Sequence, residues 1–387
     1  MDSRFTDATL GERRPSCQSR QRLYYERLLA RGHRNLPLIK NRGLRYYYPM
    51  TMVRKPFLNY AAYLKNKYGR TVYRVSVDAG FSCPNRGPDR SSPGCLYCDE
   101  RGSRAPYLDQ AQAAERQSAE GGTVDWRQDL QQQIDRGRGF LHSRYGADLF
   151  ILYFQAFSGT HAPVDKLRGI YDFALGCADF RELAVSTRPD CIDQAKAELL
   201  ASYRREDFDV WVELGLQSAN QQSLRRINRG HSVEDFDKAF RICRAAGLKV
   251  TVHLIFGLPG EGLAEIRRTI DYVAGLNPEG VKIHNLHIPT GCPLYAEYLS
   301  GELSVPCAAR HLEYTIAALE RLPPDTIVMR LTCDTPERLL AAPRGFPGKA
   351  RFLSRLRREM ESRNTWQGRL YADSSPKQVK PTRQPLS

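Results

Sequence analysis

Short β-rich runs alternate with segments of helical periodicity from residue 72 to residue 288, and this alternation constrains the fold more than any other feature. The β-rich runs cover residues 72–78, 149–155, 182–186, 210–217, 249–256 and 281–288. Apolar residues recur three and four positions apart at 164–175, 192–200, 233–246 and 264–276. Strands that alternate with helices predict a parallel sheet with right-handed crossovers. An open doubly wound sheet and a partial barrel both fit this pattern.

The rest of the sequence divides into a C-terminal extension and two ends. A helix is predicted at 308–321 and a strand at 326–332, so residues 52–300 are assigned to the α/β core and 301–372 to an α/β extension. The tail, residues 373–387, is rich in Pro, Lys, Gln and Ser and is predicted to be disordered. Residues 1–51 lack the alternation, and Met50 and Met52 stand directly before the core. We expect this segment to be a disordered arm or to precede the true translation start.

The composition argues against several classes of protein. Hydrophobic residues make up 41% of the chain and charged residues 26%, as in globular domains rather than disordered chains, collagens or disulfide scaffolds. Mean hydropathy is −0.52. Apolar runs such as 150–154 and 250–259 are too short to span a bilayer, and the start of the chain lacks a signal-peptide core. We therefore expect a cytoplasmic protein without membrane contact, whose 10 cysteines are reduced.

The net charge of +15 is concentrated at the two ends of the chain. Residues 1–50 carry 11 Lys and Arg against 4 Asp and Glu, and residues 344–387 carry 11 against 3, whereas the stretch between them is neutral. A neutral body between basic ends suits contact with a polyanion such as RNA. Charged chain ends are also common as solvated, unstructured arms, so both interpretations stay open.

Three cysteines follow the first predicted strand on a loop rich in Gly, Pro and Ser. Cys83, Cys95 and Cys98 have the spacing C-x11-C-x2-C, and the last two allow both thiolates to reach one metal centre. The loop lies at the carboxyl end of a strand, where α/β barrels build active sites. Structural zinc needs a fourth ligand, and the loop contains no further Cys or His. An iron–sulfur cluster on three thiolates keeps one iron open and fits better, with zinc and a distant fourth ligand as the alternative.

With these cysteines the sequence resembles the radical S-adenosylmethionine (radical SAM) superfamily. Tyr97 before the last cysteine matches the Cys-x-aromatic-Cys ending of that superfamily. The long first interval is similar to the branch that contains the Elongator catalytic subunit, and within it the chain resembles a bacterial radical SAM family with the C-x11-C-x2-C motif. The resembling segments are 64–69, 77–86, 186–190, 213–218, 225–231, 253–261 and 363–368. They extend over about residues 57–370, most of the chain.

The resemblance implies a partial (β/α)6 radical SAM barrel with a 4Fe–4S cluster on Cys83, Cys95 and Cys98. In that superfamily the open iron binds the amino and carboxylate groups of S-adenosylmethionine. One electron then cleaves the sulfonium to methionine and a 5′-deoxyadenosyl radical, which abstracts hydrogen from the substrate, while the barrel excludes water. An electron donor such as flavodoxin or ferredoxin is implied as a partner.

Further cofactor-binding residues are expected at the ends of the central strands. By resemblance, the Gln217 amide holds ribose hydroxyls; the alternative is a strand-end residue bonded to backbone. Arg229 is expected to bind the methionine carboxylate, which suits a forked guanidinium. His253 is a candidate cofactor contact, with a satisfied interior histidine as the alternative. Gln155 begins a segment that stands where the superfamily usually has Gly-Gly-Glu, and the backbone there is expected to accept the methionine amino group.

Other polar residues of the predicted strands carry more general expectations. Glu213 is predicted to point into the barrel and to bind the cofactor there, and its buried carboxylate requires a partner, for which we expect Arg188. His284 and His287 are three positions apart on one strand and are expected to face opposite sides, which makes them a poor metal pair. The seven cysteines outside the loop show no ligand spacing and are predicted to be small buried hydrophobic residues.

These observations predict a radical SAM enzyme that acts on tRNA or another RNA. The basic ends favour RNA, residues 46–48 are tyrosines that offer stacking surfaces, and the Elongator-like relatives modify the wobble uridine of tRNA. The chain is too short to include the acetyltransferase domain of those relatives, so we do not transfer their modification. The alternatives are a radical enzyme acting on a small molecule or a protein, and a non-catalytic zinc and RNA-binding protein. No second cysteine triad precedes Cys83, which argues against a methylthiotransferase.

Overall fold

The computed structural model describes residues 38–41, 44–47, 56–87, 92, 94–98, 125–333 and 335–372. The chain forms two compact units, Met1–Arg54 and Lys55–Ser387. In the first unit, β1 (Leu38–Asn41) and β2 (Leu44–Tyr47) pair as an antiparallel hairpin. The disorder predicted for the remainder of the N-terminal arm and for the tail 373–387 concerns residues outside those described.

A seven-stranded parallel sheet forms the centre of the second unit. The strands of this unit are β3 (Tyr73–Val77), β4 (Phe150–Phe154), β5 (Phe180–Thr187), β6 (Asp209–Gln217), β7 (Lys249–Phe256), β8 (Gly280–Asn285), β9 (Ile288–Pro289), β10 (Ile327–Arg330) and β11 (Leu340–Ala342). The order across the sheet is β10-β8-β7-β6-β5-β4-β3, and every neighbouring pair is parallel. The short strands β9 and β11 form a separate antiparallel pair.

Helices alternate with these strands along the chain. They are α1 (Tyr60–Tyr68), α2 (Trp126–Tyr145), α3 (Val164–Gly176), α4 (Gln194–Ser202), α5 (Gln221–Arg226), α6 (Val233–Ala245), α7 (Leu263–Leu276), α8 (Leu294–Leu299), α9 (Ala308–Arg321) and α10 (Lys349–Ser362). Local side chains fix several ends: Ser232 and Asp235 form a capping box before α6, and Asn277 ends α7 with a φ of 48°. In the described ranges, no helix has both the length and the apolar character needed to cross a bilayer.

Both faces of the sheet are covered. Side chains alternate between the faces of a strand, and on β6 Val212 belongs to the large core that also contains Phe236 and Phe240 of α6. The intervening Trp211, which is fully buried, packs on the opposite face with Tyr63 of α1. Parallel strands buried on two sides explain the nearly continuous apolar runs in the sequence.

The sheet curls until its two edge strands approach each other. Arg74 on β3, at one edge, donates through Nη2 to the Met329 Sδ on β10, at the other edge, over 3.4 Å. The same guanidinium donates through Nη1 to Glu213 on β6, in the middle of the sheet, over 2.5 Å. The concave side is therefore narrow enough for one side chain to bridge it, and the carboxyl ends of the strands surround a single opening.

The predicted α/β half-barrel with a C-terminal extension is confirmed, with two differences of detail. Strand β10 comes from the extension but joins the sheet beside β8, so the half-barrel contains seven strands instead of six. Helix α2, 20 residues long, is missing from the sequence prediction. Its buried apolar side chains are only Leu130, Ile134 and Leu141 among many Gln, Arg and Asp residues, so the helical period is weak.

Gln367 joins the two ends of the second unit. Its Oε1 accepts the backbone N–H of Leu58 at 2.9 Å, and its Nε2 donates to the carbonyl oxygens of Pro323 and Thr326 at 2.7 and 2.8 Å. Its own backbone N–H donates to the Pro56 oxygen at 2.8 Å. The side chain is 5% exposed, so these bonds form away from water.

Candidate active site

A cavity of about 530 Å³ lies at the carboxyl ends of the parallel strands. The loop after β3 and the ends of β4, β5, β6, β7, β8 and β10 form its wall. The wall includes all but one of the site residues predicted from the sequence: Cys83, Cys95, Cys98, Gln155, Gln217, Arg229 and His253. The exception is Glu213, which is fully buried behind the wall. Folds of this type place their ligands at this end of the strands.

Two tight turns shape the loop that carries the cysteines. The Asp78 Oδ1 accepts the backbone N–H of Gly80 at 3.0 Å, where the chain turns with a φ of 73°. Gly94, directly before Cys95, has a φ of 72°, and a Cβ there would come within 2.9 Å of the Arg86 side chain. A side chain at position 94 would thus strain the backbone and displace a buried arginine, so glycine is required.

The three cysteines all face the cavity. The backbone N–H of Cys98 donates to the Cys95 oxygen at 3.0 Å, which places these two on a single turn. Among the described residues, no group of three or more His, Cys, Asp and Glu side chains converges on the position of one metal ion. Three thiolates are a donor set that suits an iron–sulfur cluster, in which each thiolate binds a different iron.

Basic groups surround Cys95. Its Sγ lies 3.4 Å from Arg229 Nη1, 3.9 Å from Arg188 Nη1 and 3.5 Å from Asn85 Nδ2. Burial acts to raise the pKa of this thiol, but the two guanidinium groups outweigh burial and lower the pKa below its usual value. The thiolate, which is the form that binds iron, is therefore favoured at this position.

Arg229 is held from two sides and keeps one unused donor. Its Nη2 donates to the Gly215 oxygen at 3.0 Å, and a Cβ on residue 215 would lie 2.6 Å from that nitrogen. Its Nε is buried and has no acceptor in the described part of the chain. A buried N–H without an acceptor is costly. A carboxylate bound in the cavity is the kind of group that would satisfy it.

Arg188 does not pair with Glu213, so the predicted partnership is wrong. The guanidinium instead donates to both oxygens of Asp190, at 2.9 Å each, because the two residues are close in the chain. Its Nη1 also donates to the Arg229 oxygen at 2.8 Å. Arg188 therefore supports the Cys95 side of the cavity.

Gln217 ends β6 in an unusual conformation. Its φ is 73°, a left-handed value that costs a residue with a Cβ about 1–2 kcal/mol. The pairing of β6 with β7 shifts register between Gly215 and Gln217, which marks a bulge at this point. Within the described residues the side-chain amide has no hydrogen-bond partner, and it lines the cavity. The amide is thus available to a ligand, and its binding to ribose stays a prediction.

Glu213 is the centre of a buried charge network. Its Oε1 accepts from Arg74, and its Oε2 accepts from Tyr153 Oη at 2.7 Å and from Lys282 Nζ at 2.8 Å. The His253 Nε2 lies 2.8 Å from the same oxygen. These partners come from β3, β4, β8 and β7, so the network ties five strands together at the base of the cavity.

The network shifts the ionisation of its members. Burial acts to raise the pKa of Glu213, but Arg74 and Lys282 outweigh it, so the pKa falls well below the usual range. Burial lowers the pKa of Lys282 to about 7, although Glu213 opposes this change. Burial and the charge of Lys282 lower the pKa of His253 to about 4. At neutral pH the carboxylate is ionised and the imidazole is neutral.

Known proteins resemble this chain over most of its length. YtqA of Bacillus subtilis is 32% identical over 324 residues, which cover 84% of this chain and 95% of that protein. MJ0486 of Methanocaldococcus jannaschii is 31% identical over 313 residues, 81% of this chain and 91% of that protein. The model described as Radical SAM superfamily matches residues 83–273, and the model described as Radical_SAM C-terminal domain matches residues 278–362. The chain belongs to the radical SAM superfamily.

Radical SAM proteins are enzymes that use a 4Fe–4S cluster and S-adenosylmethionine, and these are the cofactors of this chain. The structure of the archaeal Methanocaldococcus infernus Elp3 with an N-terminal deletion superposes with a TM-score of 0.56. That likeness concerns the fold, since the identity is 19% over 76% of this chain and 64% of the other. The tRNA uridine(34) acetyltransferase of the same organism is 33% identical over 124 residues, 31% of this chain and 22% of that protein.

Two further predicted residues of the radical SAM cavity already have partners inside the protein. The Gln155 Oε1 accepts from the Ser76 hydroxyl at 3.0 Å. His253 is at once a satisfied interior histidine, through Glu213, and a residue of the cavity wall. Contacts of Gln155, Glu213 and His253 with the cofactor remain predictions.

Three basic residues of the site are missing from the sequence prediction: Arg74, Lys282 and Arg330. Lys282 stands between the buried Val281 and Ile283. A charged residue inside an apolar strand is uncommon, and this pattern in the sequence indicates a site residue. The partners of Arg74 and Lys282 lie on distant strands, so only the fold reveals what these two residues do.

The sequence prediction is wrong for two histidines and for three cysteines, of which Cys177 is half-buried instead of buried. His284 and His287 both line the cavity, because β8 ends at Asn285 and the chain turns before His287. The His284 Nδ1 lies 3.1 Å from the Sγ of Cys333, which also lines the cavity instead of filling the core. Cys307 is exposed.

Proposed function

We propose that this radical SAM enzyme modifies RNA, with tRNA as its substrate class. The observation that supports this most directly is the similarity to the tRNA uridine(34) acetyltransferase of Methanocaldococcus infernus. The basic ends of the chain supply the charge that binding to a polyanion requires. Because the match covers 22% of that relative, we do not extend its acetyl chemistry to this chain.

In this proposal Cys83, Cys95 and Cys98 bind the cluster, Arg229 binds the methionine carboxylate and Gln217 binds the ribose. The unpaired Arg229 Nε and the unpartnered Gln217 amide support these roles, since each offers a hydrogen bond that nothing in the described residues uses. When bound, the cluster and S-adenosylmethionine supply a 5′-deoxyadenosyl radical that removes a hydrogen atom from the substrate.

The protein's own part is to orient the ligands and to exclude water. The Glu213 network fixes the base of the cavity, and the buried side chain of Leu286 contributes an apolar part of the wall. His253 is held by Glu213 in its neutral form, so it adds no charge near the reacting groups at neutral pH. A wall that excludes water protects a reactive radical from side reactions.

We further place the chain in the Elongator-like branch, on the C-x11-C-x2-C spacing of its cysteines. A low-potential one-electron donor such as flavodoxin or ferredoxin would reduce the cluster, and we propose that the enzyme works in the cytoplasm. Each of these statements is separate from the choice of substrate.

The test compares cofactor cleavage with and without RNA. The anaerobically reconstituted and reduced protein should form 5′-deoxyadenosine slowly alone and several times faster with tRNA from a strain that lacks the gene. Replacing any one of Cys83, Cys95 or Cys98 by Ala should abolish both the cluster absorbance and the product. Cys191→Ala is the matched control, because that thiol is buried outside the cavity wall and should be dispensable.

Other outcomes would select the alternatives. Acceleration by a peptide or a small molecule but not by tRNA would move the substrate to that class. A zinc-loaded protein without iron or sulfide that still binds RNA would support a non-catalytic role. Formation of S-adenosylhomocysteine alone would indicate ordinary methyl transfer.

A further inference from the structure

The charges on the cavity wall are of one sign. Within the described residues the charged side chains that line the cavity are all basic: Arg86, Arg188, Arg229, Lys282 and Arg330. Arg188 and Arg229 lie against Cys95 and belong to the cluster side. Lys282 and Arg330 come from β8 and β10, and within the described residues neither forms a hydrogen bond with Cys95. These last two cations therefore need a separate explanation.

Lys282 and Arg330 act as a pair. They are register partners on neighbouring parallel strands, so their side chains emerge from the same face of the sheet. Both reach the cavity wall. Their charges influence each other, since Arg330 helps to lower the pKa of Lys282. Two cations placed side by side repel each other unless an anion lies between them or close by.

Within the described residues, the carboxylate close to this pair already serves another cation. The nearby carboxylate, Glu213, is shared by Arg74 and Lys282. Arg330 has no hydrogen bond and no ion pair in the part of the chain that the structure describes, although it is half-buried. A half-buried guanidinium without an acceptor is a ready site for an oxyanion.

The neighbouring side chains add hydrogen-bonding groups without adding charge. His284 and Thr335 line the same cavity, and burial lowers the pKa of His284 to about 4, so its ring is neutral at pH 7. Two cations with neutral polar neighbours form the usual composition of a site for a phosphate or a carboxylate.

We propose that Lys282 and Arg330 bind an anionic group of the substrate, a phosphate or a carboxylate, beside the cofactor. This inference rests on the proposed function only in assuming that the substrate enters the same cavity. It restricts the substrate to molecules with an oxyanion close to the reacting carbon. A nucleotide of RNA meets this condition through its phosphate, and a carboxylated small molecule or acidic side chain meets it through its carboxylate.

The experiment measures anion binding to the reconstituted protein with S-adenosylmethionine bound, so that the cluster side of the cavity is filled. It is carried out at pH 6, below the Lys282 pKa of about 7, so that this lysine is charged. Inorganic phosphate and acetate are titrated separately by calorimetry, with sodium chloride at matched ionic strength as the reference. The variants are Arg330→Gln, Arg330→Lys and, as the matched control, Arg338→Gln, whose exposed side chain is not part of the wall.

One of the two anions should bind the wild type, and its identity assigns the substrate group. Arg330→Gln should weaken that binding about tenfold or more, Arg330→Lys should restore most of it, and Arg338→Gln should match the wild type. Wild-type binding no stronger than that of chloride, or equal binding by Arg330→Gln, would overturn the proposal. The proposed function fails separately, if tRNA does not accelerate formation of 5′-deoxyadenosine, so the two failures are distinguishable.

Discussion

At the scale of single residues, Gln217 lowers the stability of the fold but gives the cavity an amide that can bind a ligand. Its left-handed φ is energetically unfavourable for any residue except glycine, yet glycine would remove the amide that faces the cavity. Strained residues of this kind persist where function requires their side chain. Glutamine at this position is therefore informative, because a purely structural bulge would favour glycine.

Gln217→Gly is expected to separate these two effects. Glycine relieves the φ strain but also increases the conformational entropy of the unfolded chain. The net effect should be a rise in the free energy of unfolding of about 0.5–1 kcal/mol. Loss of the amide should weaken S-adenosylmethionine binding by about 1–3 kcal/mol. Urea denaturation and equilibrium binding measure the two quantities.

Two control variants separate the effect of the backbone strain from the effect of the amide. Gln217→Ala removes the amide but keeps the strain, so it should weaken binding without any gain in stability. Asn277→Gly relieves a positive φ of 48° at the end of α7, far from the cavity wall, and should leave cofactor binding unchanged. Equal cofactor affinity in all three variants would contradict the role given to the amide.

Lys282 should make stability depend on pH. Its pKa is about 7 in the folded protein because of burial, against about 10.4 for an unfolded lysine. Between these values the unfolded chain binds more protons than the folded one, so the free energy of unfolding rises with pH. The free energy of unfolding of Lys282→Met should not show this rise. Between pH 7 and pH 9 the free energy of unfolding of the wild type should therefore increase by about 1–3 kcal/mol relative to that of Lys282→Met.

Urea denaturation at several pH values tests this prediction. Lys238→Met is the control: this exposed lysine of α6 should shift the stability curve by the same amount at every pH. If the difference between wild type and Lys282→Met does not change between pH 7 and 9, Lys282 keeps its charge in the folded state and the prediction is wrong.

At the scale of elements, the sequence predicts strands and helices well where their hydrophobic period is strong. The limits of α9 agree with the predicted helix 308–321, and β7 agrees with the predicted strand 249–256. Periodicity fails for α2, whose core face carries few apolar residues. It also leaves the position of β10 open, because strand pairing depends on contacts between distant parts of the chain.

Some residues of the candidate site can likewise be predicted from the sequence, and others only from the fold. Spacing identifies the three cysteines, because metal-binding pairs are local in sequence. The partner of Glu213 is a different case: Arg188 is closer in sequence than Arg74, but the curl of the sheet brings Arg74 to the carboxylate. Arg330 likewise becomes a site residue only through its register with Lys282.

Under the proposed function, helix α10 is a candidate for contact with RNA. Phe352, Leu356 and Met360 are buried on one side, and Arg355, Arg357 and Arg358 are exposed and have no ion pair in the described residues. If all three arginines contact phosphates, replacing them together by Gln should flatten the log–log salt dependence of tRNA binding by about two to three units.

Fluorescence titration of bulk tRNA at several salt concentrations measures this slope. The double variant Lys166→Gln, Arg168→Gln removes exposed cations from α3 and should leave the slope unchanged. Removal of residues 376–387 should also change little. An unaltered slope in the triple variant would indicate that α10 presents an ordinary solvated face.

At the scale of the whole molecule, Gln367 connects segments that lie 309 positions apart in the chain. Gln367→Leu should lower the free energy of unfolding by about 2–5 kcal/mol, because buried backbone groups of Leu58, Pro323 and Thr326 lose their partner. Thermal and urea unfolding measure this loss. Gln222→Leu, at an exposed position, should change stability by less than about 0.5 kcal/mol. If Gln367→Leu lowers the free energy of unfolding no more than Gln222→Leu does, the two ends of the unit are not energetically coupled.

The spread of the cavity wall along the chain has a consequence for biosynthesis. Wall residues run from Ser76 to Leu339, and the Gln367 side chain joins the ends of the unit only after almost the whole chain exists. A nascent polypeptide emerging from the ribosome thus presents its cysteine loop long before Lys282 and Arg330 have been synthesised. Iron and sulfide delivered at that stage would meet an open, water-filled half-site. We therefore expect productive maturation of the cluster to follow synthesis of the whole cavity wall.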